Sequence, residues 1–235
     1  MDGTSAPALA WNTFGSSAEL AAALAGRVGD ALRDAVARRG TGFIAVSGGT
    51  TPALFFRTLS NEELDWQKVI VTLVDERFVD RSSPRANAGL VKANLLQNKA
   101  ATARFEDLYR AAPDLDAAAG TADAALRALP WPLDVAVLGM GGDGHTASFF
   151  PGAANLAALL DPASTSVVLP THASDGEPRL TLPLARLVEA PMVALHIEGA
   201  EKRKVLESAL ADGSTLPIRS ALDGAANPVQ LFWAP

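Results

Sequence analysis

Residues 133–139 limit the possible folds of this chain more than any other segment, because an apolar run leads there directly into a glycine-rich turn. Valine at alternate positions in a short apolar run indicates a strand that is covered on both faces. Four of the six residues from Gly139 to Gly144 are glycine, which leaves backbone amides open to a ligand. Asp143 and His145 follow in the same turn, and histidine titrates near neutral pH. The pattern therefore predicts an active site at the end of this strand.

Short apolar runs alternate with helical patterns along the rest of the chain. A long helix is predicted over 17–39, with Ser17 as its cap and Gly40 as its stop. Further helices are predicted from 51–52 onward and over 87–96, 114–129 and 200–211, and strands over 42–47, 69–74, 133–139, 166–170, 178–182, 192–198 and 229–233. This alternation predicts an α/β fold: one domain, 1–235, with a mostly parallel, doubly wound, Rossmann-like sheet and helices on both faces.

The charge and composition exclude several classes of function. A formal net charge of −6 and a pI of about 5.1 argue against a nucleic-acid or anionic-membrane partner. The absence of cysteine removes disulfides, thiolate metal sites and cysteine nucleophiles. Residues 1–5 contain no basic region followed by an apolar run, so we expect no signal peptide and no membrane span. These features together predict a cytoplasmic protein. We expect a monomer or a weak homo-oligomer, which none of these features decides.

Ligands of parallel α/β sheets bind beyond the carboxyl ends of the strands, so the residues after each predicted strand are candidates. Ser47, Gly48, Gly49 and Thr50 place amides and hydroxyls before a helix, which suits a phosphate. The same turn could simply join strand to helix, or Ser47 could be a hydrolase nucleophile, since 45–49 is close to G-x-S-x-G.

A second candidate segment is Asp75-Glu76-Arg77, which follows the strand at 69–74. Its two carboxylates and guanidinium could orient sugar hydroxyls and balance a phosphate, or form a surface ion-pair cluster. Arg179 within an apolar strand and Lys202 in the first turn of a helix are unfavourable positions for cations unless an anion lies nearby.

Other site types are less compatible with the sequence. Residues 139–144 fit G-x-G-x-x-G, but Pro151 and Gly152 interrupt the long helix that a dinucleotide site requires. The three histidines have no metal-ligand spacing, so we predict no metal site. His196 is interpreted as a core residue of its strand, and His172 as a solvated loop residue.

These motifs occur in an order that resembles one family. The segments 47–52, 75–77, 87–90, 139–148, 179–182 and 199–202 are together similar to those of the 6-phosphogluconolactonases. Thr146-Ala-Ser after His145 differs from the Ile-Ala-Phe-Asn-Glu that is usual in the related glucosamine-6-phosphate deaminases. Ala86 is a departure, because the family often has serine before the equivalent of Asn87.

The resemblance implies hydrolysis of 6-phospho-D-glucono-1,5-lactone to 6-phosphogluconate in the oxidative pentose phosphate pathway, without a cofactor. In this hypothesis His145 takes a proton from water and returns it to the ring oxygen, Asp143 orients the imidazole, and amides near Gly142 meet the oxyanion. The substrate-binding residues it implies are Ser47, Gly48, Gly49, Thr50, Asp75, Glu76, Arg77, Asn87, Gly142, Thr146, Arg179 and Lys202.

Three alternatives remain open at this point. The chain could be a glucosamine-6-phosphate deaminase-like enzyme, or a serine esterase that uses Ser47. It could also be a non-catalytic sugar-phosphate sensor, although the roughly forty residues before the strand at 42–47 contain one predicted helix and no basic helix-turn-helix pattern.

Overall fold

The computed structural model describes residues 9–235 and has a parallel sheet at its centre. The strands are β1 (Leu9–Thr13), β2 (Gly42–Val46), β3 (Val69–Leu73), β4 (Asp75–Arg77), β5 (Arg104–Glu106), β6 (Val135–Leu138), β7 (Leu169–His172), β8 (Pro178–Thr181), β9 (Met192–Glu198) and β10 (Val229–Ala234). Seven of them form one sheet in the order β1-β10-β9-β6-β2-β3-β5, with every pair parallel. The predicted fold class, a mostly parallel α/β sheet, is confirmed.

Helices connect the strands. They are α1 (Ser17–Arg39), α2 (Ala53–Leu59), α3 (Asn87–Asn94), α4 (Leu115–Leu126), α5 (Leu156–Leu159), α6 (Leu184–Val188), α7 (Ala200–Leu210) and α8 (Pro217–Gly224). Ser16 caps α1, rather than the predicted Ser17, because its side chain accepts a hydrogen bond from Glu19 N. Gly40 ends the helix as predicted, at a φ of 77°. No helix in the described part of the chain is long and apolar enough to cross a membrane.

The strands predicted at 166–170 and 178–182 are present as β7 and β8, but they lie outside the parallel sheet. β7 and β8 form an antiparallel hairpin and join β4 in a separate sheet of three strands, in the order β4-β8-β7. Only residues 173–177 lie between the two strands. A parallel crossover needs about a dozen residues or more, so a connection this short forces the antiparallel pairing.

Several elements were absent from the sequence-based prediction. β1 is an edge strand that pairs in parallel with β10, so the chain begins its sheet before α1 and not at β2. β5, α5, α6 and α8 were also missed. The prediction for residues 1–5 lies outside the described residues.

The sheet order brings the predicted site segments together. β2, β3 and β6 are buried along their whole length, as expected for strands covered on both faces. Chain order reverses at β2, which has β3 on one side and β6 on the other. Such a switch point opens a crevice at the carboxyl ends of the strands, and the turns after β2, β6 and β9 meet there.

Candidate active site

A cavity of about 260 Å³ lies at the carboxyl ends of β2, β6 and β9. Ten of the predicted site residues line it: Ser47, Gly48, Gly49, Thr50, Asp75, Arg77, Asn87, His145, Arg179 and Lys202. Four do not: Glu76, Gly142, Asp143 and Thr146. The main sheet supplies the turns at one side of the cavity, and the three-stranded sheet supplies the two arginines.

The turn after β2 packs closely against α3. A Cβ atom at Gly48 would lie 1.9 Å from Oδ1 of Asn87, so only glycine fits at this position. The Asn87 side chain is buried and donates from Nδ2 to the carbonyl of Asp75 at 2.9 Å. Gly49 has a φ of 94°, in the left-handed region that favours glycine. The turn therefore has a fixed shape with backbone facing the cavity.

The register of β4 and β8 decides which side chains of the segment Asp75-Glu76-Arg77 reach the cavity. Arg77 pairs with Arg179, and Asp75 pairs with Thr181, so these residues share one face of the small sheet. Glu76 points to the other face, because successive side chains in a strand alternate. The prediction that Glu76 binds substrate is therefore not supported by its position.

Glu76 instead holds the start of α3. Its carboxylate accepts hydrogen bonds from the backbone N–H groups of Arg77, Asn87 and Ala88 at 2.7, 2.8 and 2.7 Å. Ala86 occupies the cap position of α3 and offers no capping side chain, so Glu76 satisfies N–H groups that a capping serine could otherwise bind. Burial raises the pKa of Glu76 to about 7, against the effect of these three donors.

Two carboxylates surround the Arg179 guanidinium. Its Nη2 lies 2.6 Å from Oε2 of Glu177, and its Nη1 lies 3.6 Å from Oδ2 of Asp75. The guanidinium also lies over the ring of Phe150, 5.5 Å from its centroid. Arg179 Nε and Arg77 Nε are fully buried and have no hydrogen-bond partner among residues 9–235. Sequence reasoning missed Glu177, which lies in the connection between β7 and β8, immediately before β8 begins at Pro178.

His145 and Asp143 form a directly bonded pair. The ring Nδ1 lies 2.5 Å from Oδ1 of Asp143, which also accepts from the backbone N–H of His145 at 3.2 Å. Burial raises the pKa of Asp143, but the hydrogen bonds and charge of His145 outweigh it, so the pKa lies below the ordinary value. An ionised Asp143 holds the hydrogen of neutral His145 on Nδ1, which leaves Nε2 as the basic atom.

Close packing fixes the position of this pair. A Cβ atom at Gly141 would lie 2.2 Å from His145 Nδ1 and 2.6 Å from Asp143 Oδ1. The ring of Phe150 packs against the imidazole, with 4.4 Å between centroids. Thr146 turns away from the cavity and donates from Oγ1 to the carbonyl of Gly139 at 2.8 Å, so it shapes the turn. Gly142 lies off the cavity wall, which does not support the predicted oxyanion contact there.

Lys202 enters the cavity from the first turn of α7. Its ammonium donates to the carbonyl of Met140, which ties α7 to the turn after β6. Burial lowers the pKa of Lys202, and the Asp143 carboxylate partly offsets this.

The interpretation of His196 as a core residue is confirmed, but its contact with the cavity was not predicted. This residue is buried in β9, yet it also lines the cavity. Its Nε2 lies 3.1 Å from Oε1 of Glu198. His172 is exposed at the end of β7, as expected. Across residues 9–235, no group of three or more His, Asp or Glu side chains is arranged to hold a metal ion.

The sequence and the structure both match known proteins. The family described as glucosamine-6-phosphate isomerases/6-phosphogluconolactonase matches residues 15–233. The chain is 62% identical to a 6-phosphogluconolactonase of Mesorhizobium japonicum over 226 residues, covering 96% of this chain and 95% of that one. A relative of the same name from Rhizobium meliloti is 52% identical, with 94% and 97% covered.

A solved structure gives the same result. The crystal structure of a 6-phosphogluconolactonase from Shewanella baltica superimposes with a TM-score of 0.93 at 35% identity, covering 97% of this chain and 98% of that one. On the extent of the sequence match and the agreement in fold, the chain belongs to the glucosamine-6-phosphate isomerase/6-phosphogluconolactonase family.

Proposed function

We propose that this protein hydrolyses 6-phospho-D-glucono-1,5-lactone to 6-phosphogluconate, the reaction of the oxidative pentose phosphate pathway that the names of its relatives indicate. The observation that carries the proposal is the Asp143–His145 pair at the edge of a cavity that also contains three cationic side chains. A base and a cluster of cations in one small cavity suit an ester that carries a phosphate. The reaction needs no cofactor, and water is the second substrate. We also propose that the enzyme acts in the cytoplasm.

The phosphate is bound by the turn after β2 and by the cations. Ser47 to Thr50 offer hydroxyl and backbone donors, and Arg77, Arg179 and Lys202 supply positive charge in a chain whose net charge is −6. Anions bind well where backbone N–H groups converge with guanidinium groups. Asp75 and Asn87 lie between these groups and accept or donate to sugar hydroxyls.

His145 acts as the general base and then as the general acid. Nε2 removes a proton from water as the oxygen attacks the lactone carbonyl, which gives a tetrahedral oxyanion. When the oxyanion collapses, the bond from C1 to the ring oxygen breaks, and His145 returns the proton to that oxygen. The Asp143 carboxylate stabilises the imidazolium between the two steps. General acid–base help of this kind is worth about 10²- to 10⁴-fold in rate.

The geometry favours this mechanism over a serine nucleophile. The cavity histidines are bonded to Asp143 and Glu198, and neither ring is hydrogen-bonded to Ser47. A serine hydrolase needs a base within hydrogen-bond reach of its nucleophile.

The decisive experiment measures lactone hydrolysis by purified wild-type and variant proteins, corrected for spontaneous ring opening. We expect His145→Ala to lower kcat by about 10²- to 10⁴-fold and Ser47→Ala mainly to raise KM. His172→Ala is the matched control, because this exposed histidine lies outside the cavity. Near-normal turnover in His145→Ala with none in Ser47→Ala would establish the serine mechanism instead. Ammonia release from glucosamine 6-phosphate without lactone hydrolysis would assign the protein to the deaminases.

A further inference from the structure

His196 is a cavity residue that the proposed mechanism does not use. It lies on β9 in register with Phe232 of β10, one residue beyond the pairing of Leu195 with Leu138. This position places it at the carboxyl end of the central strands, beside the turn that begins at Gly139. Only 4% of the residue is exposed.

One nitrogen of the ring is fixed by a carboxylate. Nε2 lies 3.1 Å from Oε1 of Glu198, and the other oxygen of Glu198 accepts a hydrogen bond from the Ser17 hydroxyl at 2.5 Å. A carboxylate held in this way is an acceptor, so it holds the hydrogen of the neutral ring on Nε2. Burial lowers the pKa of His196, against the effect of Glu198, which favours the neutral ring.

The other nitrogen is accessible from the cavity. Nδ1 has no hydrogen-bond partner among residues 9–235. In that range, four side-chain atoms are fully buried without a partner, and Nδ1 is not one of them: Arg77 Nε, Glu177 Oε1, Arg179 Nε and Arg186 Nε. Nδ1 is therefore not fully buried, and the surface that His196 exposes lines the cavity. A neutral ring with its hydrogen on Nε2 presents a lone pair at Nδ1.

We propose that His196 is a substrate-contacting residue, in which Glu198 fixes the tautomer so that Nδ1 accepts a hydrogen bond from a sugar hydroxyl. The proposal rests on the proposed function, because it needs a polyol in the cavity. The phosphate monoester dianion of a sugar phosphate has no hydrogen to donate, so the acceptor at Nδ1 selects the sugar part of the ligand. A purely apolar core residue at this position would give the cavity no such contact.

The test compares His196→Gln with wild type. Glutamine can still donate to Glu198 but has no acceptor in the place of Nδ1, so the structural hydrogen bond of the ring is retained. We expect a five- to tenfold rise in both the KM for the lactone and the Kd of 6-phosphogluconate, with kcat within about twofold, as follows from one lost hydrogen bond. The Kd of inorganic phosphate should be unchanged. His172→Gln is the matched control and should behave as wild type.

Nitrogen NMR of histidine-labelled wild-type protein gives a second measurement that does not depend on a variant's folding. We expect the His196 resonances of a ring protonated at Nε2, and a shift at Nδ1 with 6-phosphogluconate but not with inorganic phosphate. A ring protonated at Nδ1 overturns the proposal, as does an unchanged Kd for 6-phosphogluconate in His196→Gln or an equal loss of phosphate binding. A wild-type protein that neither hydrolyses the lactone nor binds its product overturns the proposed function itself.

Discussion

Replacement of Gly141 by alanine tests the catalytic pair without altering a single polar group. The added Cβ would lie 2.2 Å from Cε1 and Nδ1 of His145, and 2.6 Å from Oδ1 of Asp143. Ordinary contact between such atoms is about 3.5 Å, so the imidazole must move by roughly 1 Å. The move is feasible, because the His145 and Asp143 side chains are 29% and 44% exposed.

The displacement should reduce the rate far more than the stability. A reacting group misplaced by about 1 Å costs on the order of 10²-fold in rate, or about 2.7 kcal/mol of transition-state free energy. No buried apolar contact is lost, so we expect the free energy of unfolding to fall by less than about 1 kcal/mol. The substrate-binding groups on the opposite wall are untouched, so KM should change little.

Steady-state lactone hydrolysis and urea unfolding together check this prediction. Gly142→Ala is the matched control, because a Cβ at that neighbouring residue meets nothing within 4 Å. We expect Gly142→Ala to keep a kcat within about threefold of wild type while Gly141→Ala loses about 10²-fold. Equal kcat values in the two variants would refute the reasoning that the position of His145 controls turnover.

Two other substitutions test the packing around the site. Gly48→Ala should destabilise the protein by about 1–3 kcal/mol, since its Cβ would overlap Asn87, which hydrogen bonds hold in place; thermal unfolding measures this, and an unchanged Tm contradicts it. The pKa of Glu76 rises from 4.5 to about 7 on folding, so its contribution to stability is full below pH 4.5 and is lost as the pH rises through 7. Between pH 5 and pH 8, wild type should lose up to about 3 kcal/mol relative to Glu76→Gln in urea unfolding, and parallel pH curves would contradict this.

The sequence predicted the central sheet well because buried parallel strands and helix caps are local signals. The apolar runs around Phe43, Ile70 and Val135 each became a central strand, and Gly40 ended α1 as expected. β1 gave a weak signal, since an edge strand that contains Asn and Thr and is mostly exposed has no continuous apolar run. The hairpin of β7 and β8 was predictable from the short interval between the strands.

The sequence predicted which residues form the site better than it predicted which way their side chains point. Motifs at strand ends, the unusual cation in the strand at 178–182 and the family resemblance together identified ten cavity residues. Glu76 was expected at the cavity because alternation along β4 was not applied. His196 is the core residue that its apolar strand predicted, and only its contact with the cavity was missed. The partners Glu177 and Glu198 depend on contacts that tertiary packing creates.

The pairing of Arg77 with Arg179 has a consequence for how the protein tolerates insertions and deletions. Side chains in a strand change face with every residue, so a shift of β8 by a single residue would remove one guanidinium from the anion-binding wall. Residues 174–176 are exposed and can vary in length without this effect. Indels within 178–181 should therefore be selected against in relatives and avoided in engineering, even where the fold survives them.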